Sequence, residues 1–167
     1  MDGAGGEPVT QGLTVYLETS VISYLTNRPS TNAITLGRQL LTQQWWEERS
    51  AHYDLVISDF VIQEIRAGHP EAVARRVAAV QHLRILDSAN PDIERLAIGL
   101  INSKAIPAHA ELDALHIATC AVNQVQFLAS WNFTHIVNAQ QMQKIHIASL
   151  KLGFQCPQLI TLDSLTA

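Results

Sequence analysis

Residues 13–25, LTVYLETSVISYL, form an apolar run that meets a carboxylate, passes through small hydroxyl residues and then resumes its apolar pattern. The run reads as strand, turn and helix. Leu13, Val15, Tyr16 and Leu17 carry too little polarity for a surface strand, so they predict a buried central strand. Glu18 stands at its carboxyl end. Thr19 or Ser20 supplies a cap for the following helix, whose Val21, Ile22, Tyr24 and Leu25 recur at helical spacing until Asn27, Arg28 and Pro29 end it. Ligands of open α/β sheets bind outside the carboxyl ends of strands, which makes Glu18 a candidate site residue. Its alternative role is structural, as a charge that complements the helix dipole.

The 167 residues suit one domain with a sizeable core, expected over residues 13–167 after a flexible tail over residues 1–12. That tail has neither a basic start nor an apolar centre, so it does not read as a secretory signal. An apolar fraction of 47% and a charged fraction of 16% are those of a soluble globular chain with no membrane-spanning run. Cys120 and Cys156 make no metal-ligand spacing and no disulfide framework, so a reducing, cytoplasmic setting is expected. A net charge of −4 argues against broad phosphate neutralisation, yet it suits an enzyme that needs acids.

Beyond the first helix, Thr31 and Asn32 offer caps for a long helix carrying Ile34, Leu36, Leu40, Leu41, Trp45 and Trp46 and ending near His52. Leu55, Val56 and Ile57 predict a short buried strand, followed by a helix, DFVIQEIRAG, that contains Glu64 and closes at Gly68. Pro70 opens the next helix, with Val73, Val77 and Val80 on one face and Arg75 and Arg76 off it. Residues 84–86 predict a third strand. Asn90 and Pro91 open a helix through Ile93, Leu96, Ala97 and Leu100. A loop, KAIPAHAE, then leads into ELDALHIATCAV, a helix with Asp113 in its first turn. Residues 125–129 form a strand that runs directly into Ser130, Trp131 and Asn132. Residues 135–152 read as mostly helical, closed by Gly153, with a last strand over 159–161. Strands alternating with helices predict a mainly parallel sheet covered on both faces.

Glu18 and Asn132 at strand ends, Asp113 in a first turn and Glu64 within a helix are groups that such a sheet can gather. Clustered carboxylates repel one another unless a cation joins them, and their hard oxygens match Mg²⁺ or Mn²⁺. Other phosphate chemistries lack their motifs: no GxGxxG follows a strand, and there is no GxxxxGK[ST] loop or GxSxG elbow.

The segments YLETSVISYL, SDFVIQEI, ELDALHIA and FLASWNFTHIVNA occur in the order and spacing of PIN-domain proteins, and the chain resembles their VapC-type branch from residue 15 to about residue 161. The resemblance implies a PIN-like three-layer α/β fold with a mainly parallel central sheet flanked by helices. It implies an acidic pocket that binds Mg²⁺ or Mn²⁺ and hydrolyses RNA, often as the toxin of a toxin–antitoxin pair whose antitoxin is a partner protein. Glu18, Glu64, Asp113 and Asn132 match the pocket positions, as catalytic and metal-binding residues. Thr19, Ser20 and Ser130 suit either a supporting role, orienting metal-bound water or phosphate oxygens, or a structural one as caps and turn residues. A homodimer is expected partly from the resemblance and partly because the apolar helix from Ile34 to Trp46 exceeds what a small sheet covers.

The resemblance has two departures. The first position is usually Asp and is Glu18 here, and the last is commonly Asp and is Asn132 here; both keep an oxygen donor. The alternative function is a catalytically silent PIN-like module that binds RNA or a protein partner. His109, Asp113 and His116 share one helical side if that helix starts early, which raises a zinc reading against that of a packed helix histidine. Trp131 suits either base stacking or core packing, and Arg75 and Arg76 suit phosphate contact or a solvated face. The three carboxylates of an empty pocket are expected to strain it.

Overall fold

The computed structural model describes residues 12–165, so the tail expected over 1–12 lies outside the described residues except for Gly12. The elements are β1 (Thr14–Leu17), α1 (Thr19–Thr26), α2 (Ala33–Arg49), β2 (Asp54–Ile57), α3 (Asp59–Ile65), α4 (Pro70–Val80) and β3 (Arg84–Ile85). They continue with α5 (Pro91–Asn102), α6 (Glu111–Val122), β4 (Phe127–Ala129), α7 (Ala139–Lys151) and β5 (Gln158–Ile160). The strands form one all-parallel sheet in the order β3-β2-β1-β4-β5. Right-handed crossovers place α1 to α4 on one face and α5 to α7 on the other, because the chain steps one way from β1 and the opposite way after β3. The helix contacts agree, with α1 packed on α2, α3 and α4, and α5 packed on α6 and α7.

β1 is the central strand, and its Val15, Tyr16 and Leu17 have no accessible surface. They lie opposite Leu55 and Val56 of β2 and Phe127, Leu128 and Ala129 of β4. Leu13 stands outside this strand, 51% exposed. Strand order reverses between β1 and β4. The N–H of Glu18 bonds to the Ala129 carbonyl, and that of Ser130 bonds to the Ile160 carbonyl, so both carboxyl ends are pinned in register. A crevice at such a reversal is where open α/β sheets bind ligands.

Most helix starts follow their capping residues. Asn32, Asn90 and Asn138 accept from first-turn amides of α2, α5 and α7, and Pro70 and Pro91 begin α4 and α5. Gly68 and Gly153 close α3 and α7 with φ of +103° and +89°, a region other residues enter at a cost.

Three elements differ from expectation. The last helix begins at Ala139 because Asn132 Oδ1 takes the amides of Thr134 and His135 into a turn, leaving Asn138 to cap. β3 is a two-residue edge strand with both residues exposed, and Arg84 pairs there with Asp54. α2 buries Gln39, Thr42 and Trp45, while Ile34, Leu40 and Leu41 are 65, 57 and 42% exposed. Gln39 is satisfied inside by the Arg28 carbonyl and the Ser30 amide, and Thr42 accepts from the indole N–H of Trp131. Arg75 and Arg76 donate to the carbonyls of Thr26, Ile65 and Ala67, clamping the ends of α1 and α3.

Candidate active site

Glu18, and not Thr19 or Ser20, caps α1, because its carboxylate reaches the first-turn amide. As N-cap of α1 its Oε2 accepts from the Ser20 amide at 3.1 Å, and the same oxygen accepts from the hydroxyls of Ser20 and Ser130. Glu64, near the end of α3, accepts from Thr19 Oγ1 and meets His116 Nε2 at 2.8 Å, again through Oε2 alone. Each carboxylate is therefore anchored by one oxygen, and no residue among those described hydrogen-bonds to Oε1 of either. Neither Oε1 is sealed in the interior.

Ligating atoms of Glu18, Glu64 and His116 all lie within 4.8 Å of one another. Two anchored carboxylates with an unengaged oxygen each, beside an imidazole, form a donor set that fits a divalent cation of the Mg²⁺ or Mn²⁺ kind. His116 is fully buried in α6, as expected of a packed helix histidine, and both its ring nitrogens are occupied. Nδ1 lies 2.6 Å from the Tyr16 hydroxyl, which lies 2.6 Å from Ser58 Oγ. With Nε2–H directed at Glu64, Nδ1 accepts from Tyr16 and Tyr16 accepts from Ser58, a consistent set of donors. Ser58 is the N-cap residue of α3 but makes no side-chain cap bond, because its hydroxyl meets Tyr16 instead.

Burial pushes the Tyr16 phenol well above its ordinary range, and the neighbouring Cys120, Glu18 and Glu64 add to the effect, so it stays protonated. Burial also pushes Glu64 upward. The hydrogen bond and electrostatic attraction of the His116 N–H and the bond from Thr19 outweigh it and hold the Glu64 carboxyl below its usual value.

Asp113 lies outside this group of three and is joined to Glu18 through Asn132 and Ser130. Asp113 Oδ1 accepts from Asn132 Nδ2 at 3.1 Å, and Oδ2 meets His135 Nδ1 at 2.8 Å. The Asn132 amide N–H bonds to Ser130 Oγ, so one chain of hydrogen bonds runs from Glu18 through Ser130 and Asn132 to Asp113 and His135. Each of the three expected carboxylates is thus met by donors, which offset the repulsion among them. The zinc trio does not gather: His116 turns toward Glu64 while His109 packs edge-on against His135. Trp131 is a core residue, buried and stacked on Tyr24.

His135 and the Tyr16 partnership were not identified from the sequence. The available signals were the asparagine three residues before His135 and the three-residue spacing from Asp113 to His116, which put both side chains near one face of α6. A cavity of about 850 Å³ lies at the opposite end of the sheet, where Leu13, Gln126 and Gln158 mark the amino ends of the strands.

No protein-family model matches the sequence, and no curated protein matches it. Solved structures do. VapC20 of Mycobacterium tuberculosis, a sarcin-ricin-loop-cleaving toxin, is 17% identical with a TM-score of 0.55, the match covering 75% of this chain and 95% of that one. A chain of VapBC2 from Rickettsia felis, solved bound to a DNA fragment from their promoter, is 14% identical with a TM-score of 0.52, covering 77% and 95%. Sheet order, crossover helices and these likenesses define the class: an α/β domain with a VapC-like PIN fold.

Proposed function

We propose that this chain is a Mg²⁺- or Mn²⁺-dependent endoribonuclease that hydrolyses RNA phosphodiester bonds as the toxin of a toxin–antitoxin pair, with Glu18, Glu64, Asp113 and Asn132 as its catalytic edge. The observation that carries this reading is the convergence of Glu18 and Glu64, each with an unengaged oxygen, at the strand-order reversal of a fold shared with VapC20. A divalent cation supplies, when bound, Lewis-acid polarisation of the phosphate and acidification of water.

Glu18 and Glu64 would hold that cation, with His116 beside them. Ser20, Ser130 and Thr19 orient the two carboxylates, and Asp113 and Asn132 bring a charge and an amide to the same edge. The Ser20 and Ser130 hydroxyls both donate to Glu18 and hold its carboxylate in place. Hydrolysis by direct attack of water, without a covalent intermediate, is the reaction this reading takes.

The test is cleavage of RNA by the purified chain in Mn²⁺ and in chelator. Cleavage in Mn²⁺ alone, lost in Glu18→Gln and Glu64→Gln, is expected; cleavage undiminished in chelator overturns the mechanism. The engagement of both Asp113 oxygens favours a second reading, a silent module that binds RNA or a protein. RNA binding indifferent to metal, without cleavage, would establish it.

The same reading takes an antitoxin as partner and a homodimer as assembly. Exposed Ile34, Leu40 and Leu41 on α2 support a protein contact, and light scattering at micromolar concentration tests the dimer. A cytoplasmic location belongs to the proposal; both cysteines are free and buried, and no described helix is long and apolar enough to cross a membrane.

A further inference from the structure

Three consecutive side chains after β4 diverge. Trp131 enters the helices and donates its indole N–H to Thr42 Oγ1 at 2.9 Å, and Asn132 turns to Asp113. Phe133 stays 40% exposed beneath Arg38, whose guanidinium carbon lies 4.3 Å from the Phe133 ring centroid and 6.0 Å from that of Trp131. Arg38 and Thr42 are one turn apart on α2, so the helix grips this loop at two points. The Arg38 guanidinium makes no ion pair or hydrogen bond among the described residues, whereas Arg28, Arg84 and Arg95 pair with carboxylates and Arg75 and Arg76 with carbonyls. A half-buried cation on an aromatic seat therefore stands one residue from Asn132.

We propose that Arg38 and Phe133 form a subsite for single-stranded RNA beside the acidic edge, an assignment that rests on the ribonuclease reading. A guanidinium offers two chemistries at right angles. Its edge donates in a fork that matches phosphate oxygens, and its faces stack on rings. With Phe133 beneath one face, the other takes an unpaired base while the edge takes a backbone phosphate. Bases inside a duplex are already stacked and cannot use this seat. An acidic site on a chain of net charge −4 repels RNA, and Arg38 supplies a fixed positive charge where the strand must approach it. The cation–π contact orders the side chain before binding, which lowers the cost of ordering it on RNA.

The experiment measures fluorescence anisotropy of a labelled single-stranded RNA and its duplex on the full chain in chelator, across a NaCl series. Arg38→Ala is expected to weaken single-strand binding about tenfold and to flatten the logarithmic salt slope by about 0.7. Arg38→Lys should keep the slope and bind more weakly, and Phe133→Leu should lose several-fold with the slope unchanged. Arg95→Ala is the surface control, and melting curves verify folding of each variant. Unchanged affinity and slope in Arg38→Ala, or equal losses on the duplex, overturn the subsite. If the wild type cuts RNA and Arg38→Ala binds as it does, only the subsite falls; if the wild type neither binds nor cuts RNA, both readings fall. Loss of a protein partner with RNA binding intact assigns the pair to protein docking and overturns the RNA subsite.

Discussion

Oδ2 of Asp113 lies 2.8 Å from Nδ1 of His135, a pairing of two part-buried side chains that engages the third acid of the edge. Oδ1 is engaged by Asn132, so a cation at Asp113 would share the carboxylate with two hydrogen-bond partners that draw on the same oxygens.

His135→Ala should accordingly raise Mn²⁺ affinity several-fold by calorimetry. Weaker binding would make His135 a residue that aims Asp113. Asp113→Asn should lower the stability of the chelated protein by about 1 kcal/mol, the scale of one hydrogen-bonded partner. At about 2–4 °C per kcal/mol for a domain of this size, the loss is visible in a melting curve. A rise in melting temperature would show that repulsion among the carboxylates outweighs the pair.

Tyr16→Phe removes the hydroxyl between Ser58 and His116 and leaves two buried polar groups without that partner. A cost of about 1–3 kcal/mol in chelator is expected. The loosened imidazole should also weaken Mn²⁺ binding by about tenfold or more, as for other outer partners of metal sites. Full Mn²⁺ affinity in a destabilised Tyr16→Phe chain would confine this network to packing.

The lowered Glu64 carboxyl sets a direction with pH. Its folded value lies below the ordinary 4.5, so its ionised form favours the folded state, fully so above about pH 4.5 and progressively less as pH falls through the folded value. Melting of the wild type and Glu64→Gln in chelator should differ most near neutrality and converge on acidification. A difference that widens in acid contradicts the assignment of His116 and Thr19 as its stabilising partners.

Saturating Mn²⁺ at about 100 times its dissociation constant should add about 2.7 kcal/mol to the wild type, raising its melting temperature by several degrees. Glu18→Gln and Glu64→Gln should lose most of that gain. A full shift in both places the cation elsewhere.

Burial pushes the Cys156 thiol up to about 12 and the Cys120 thiol well above its ordinary range. Neither should react with a thiol reagent at pH 8 until the chain unfolds, a rate read by absorbance with and without denaturant. Prompt labelling of one thiol would place it on an accessible surface.

Much of the frame is legible because it is local. The apolar run before Glu18 marks the central strand, and Asn32, Pro70, Asn90, Gly68 and Gly153 mark helix ends through their own backbone and side-chain chemistry. The contacts of His116 are not local: its partners are Tyr16 and Glu64, on β1 and α3, and no periodicity within α6 encodes them. α2 misleads for a related reason. Gln39 and Thr42 can be buried because distant groups satisfy them, which frees Ile34, Leu40 and Leu41 to face outward. The His135 turn is decided by one side-chain oxygen, that of Asn132, which intercepts amides a helix would otherwise use.

The sheet order has a consequence in time. Glu18 belongs to the first strand-to-helix turn, while Asn132 follows the fourth strand, which is itself pinned by the fifth through Ser130 and Ile160. At about 5–20 residues per second, the interval between synthesis of these two residues is on the order of ten seconds. During that interval a nascent chain gains Glu64 and then Asp113 but still lacks Ser130 and Asn132, the polar wall that completes the edge. Any activity that needs all four groups is therefore withheld until the chain is nearly finished, and a ribosome stalled before residue 127 displays a chain without β4 and without a complete edge.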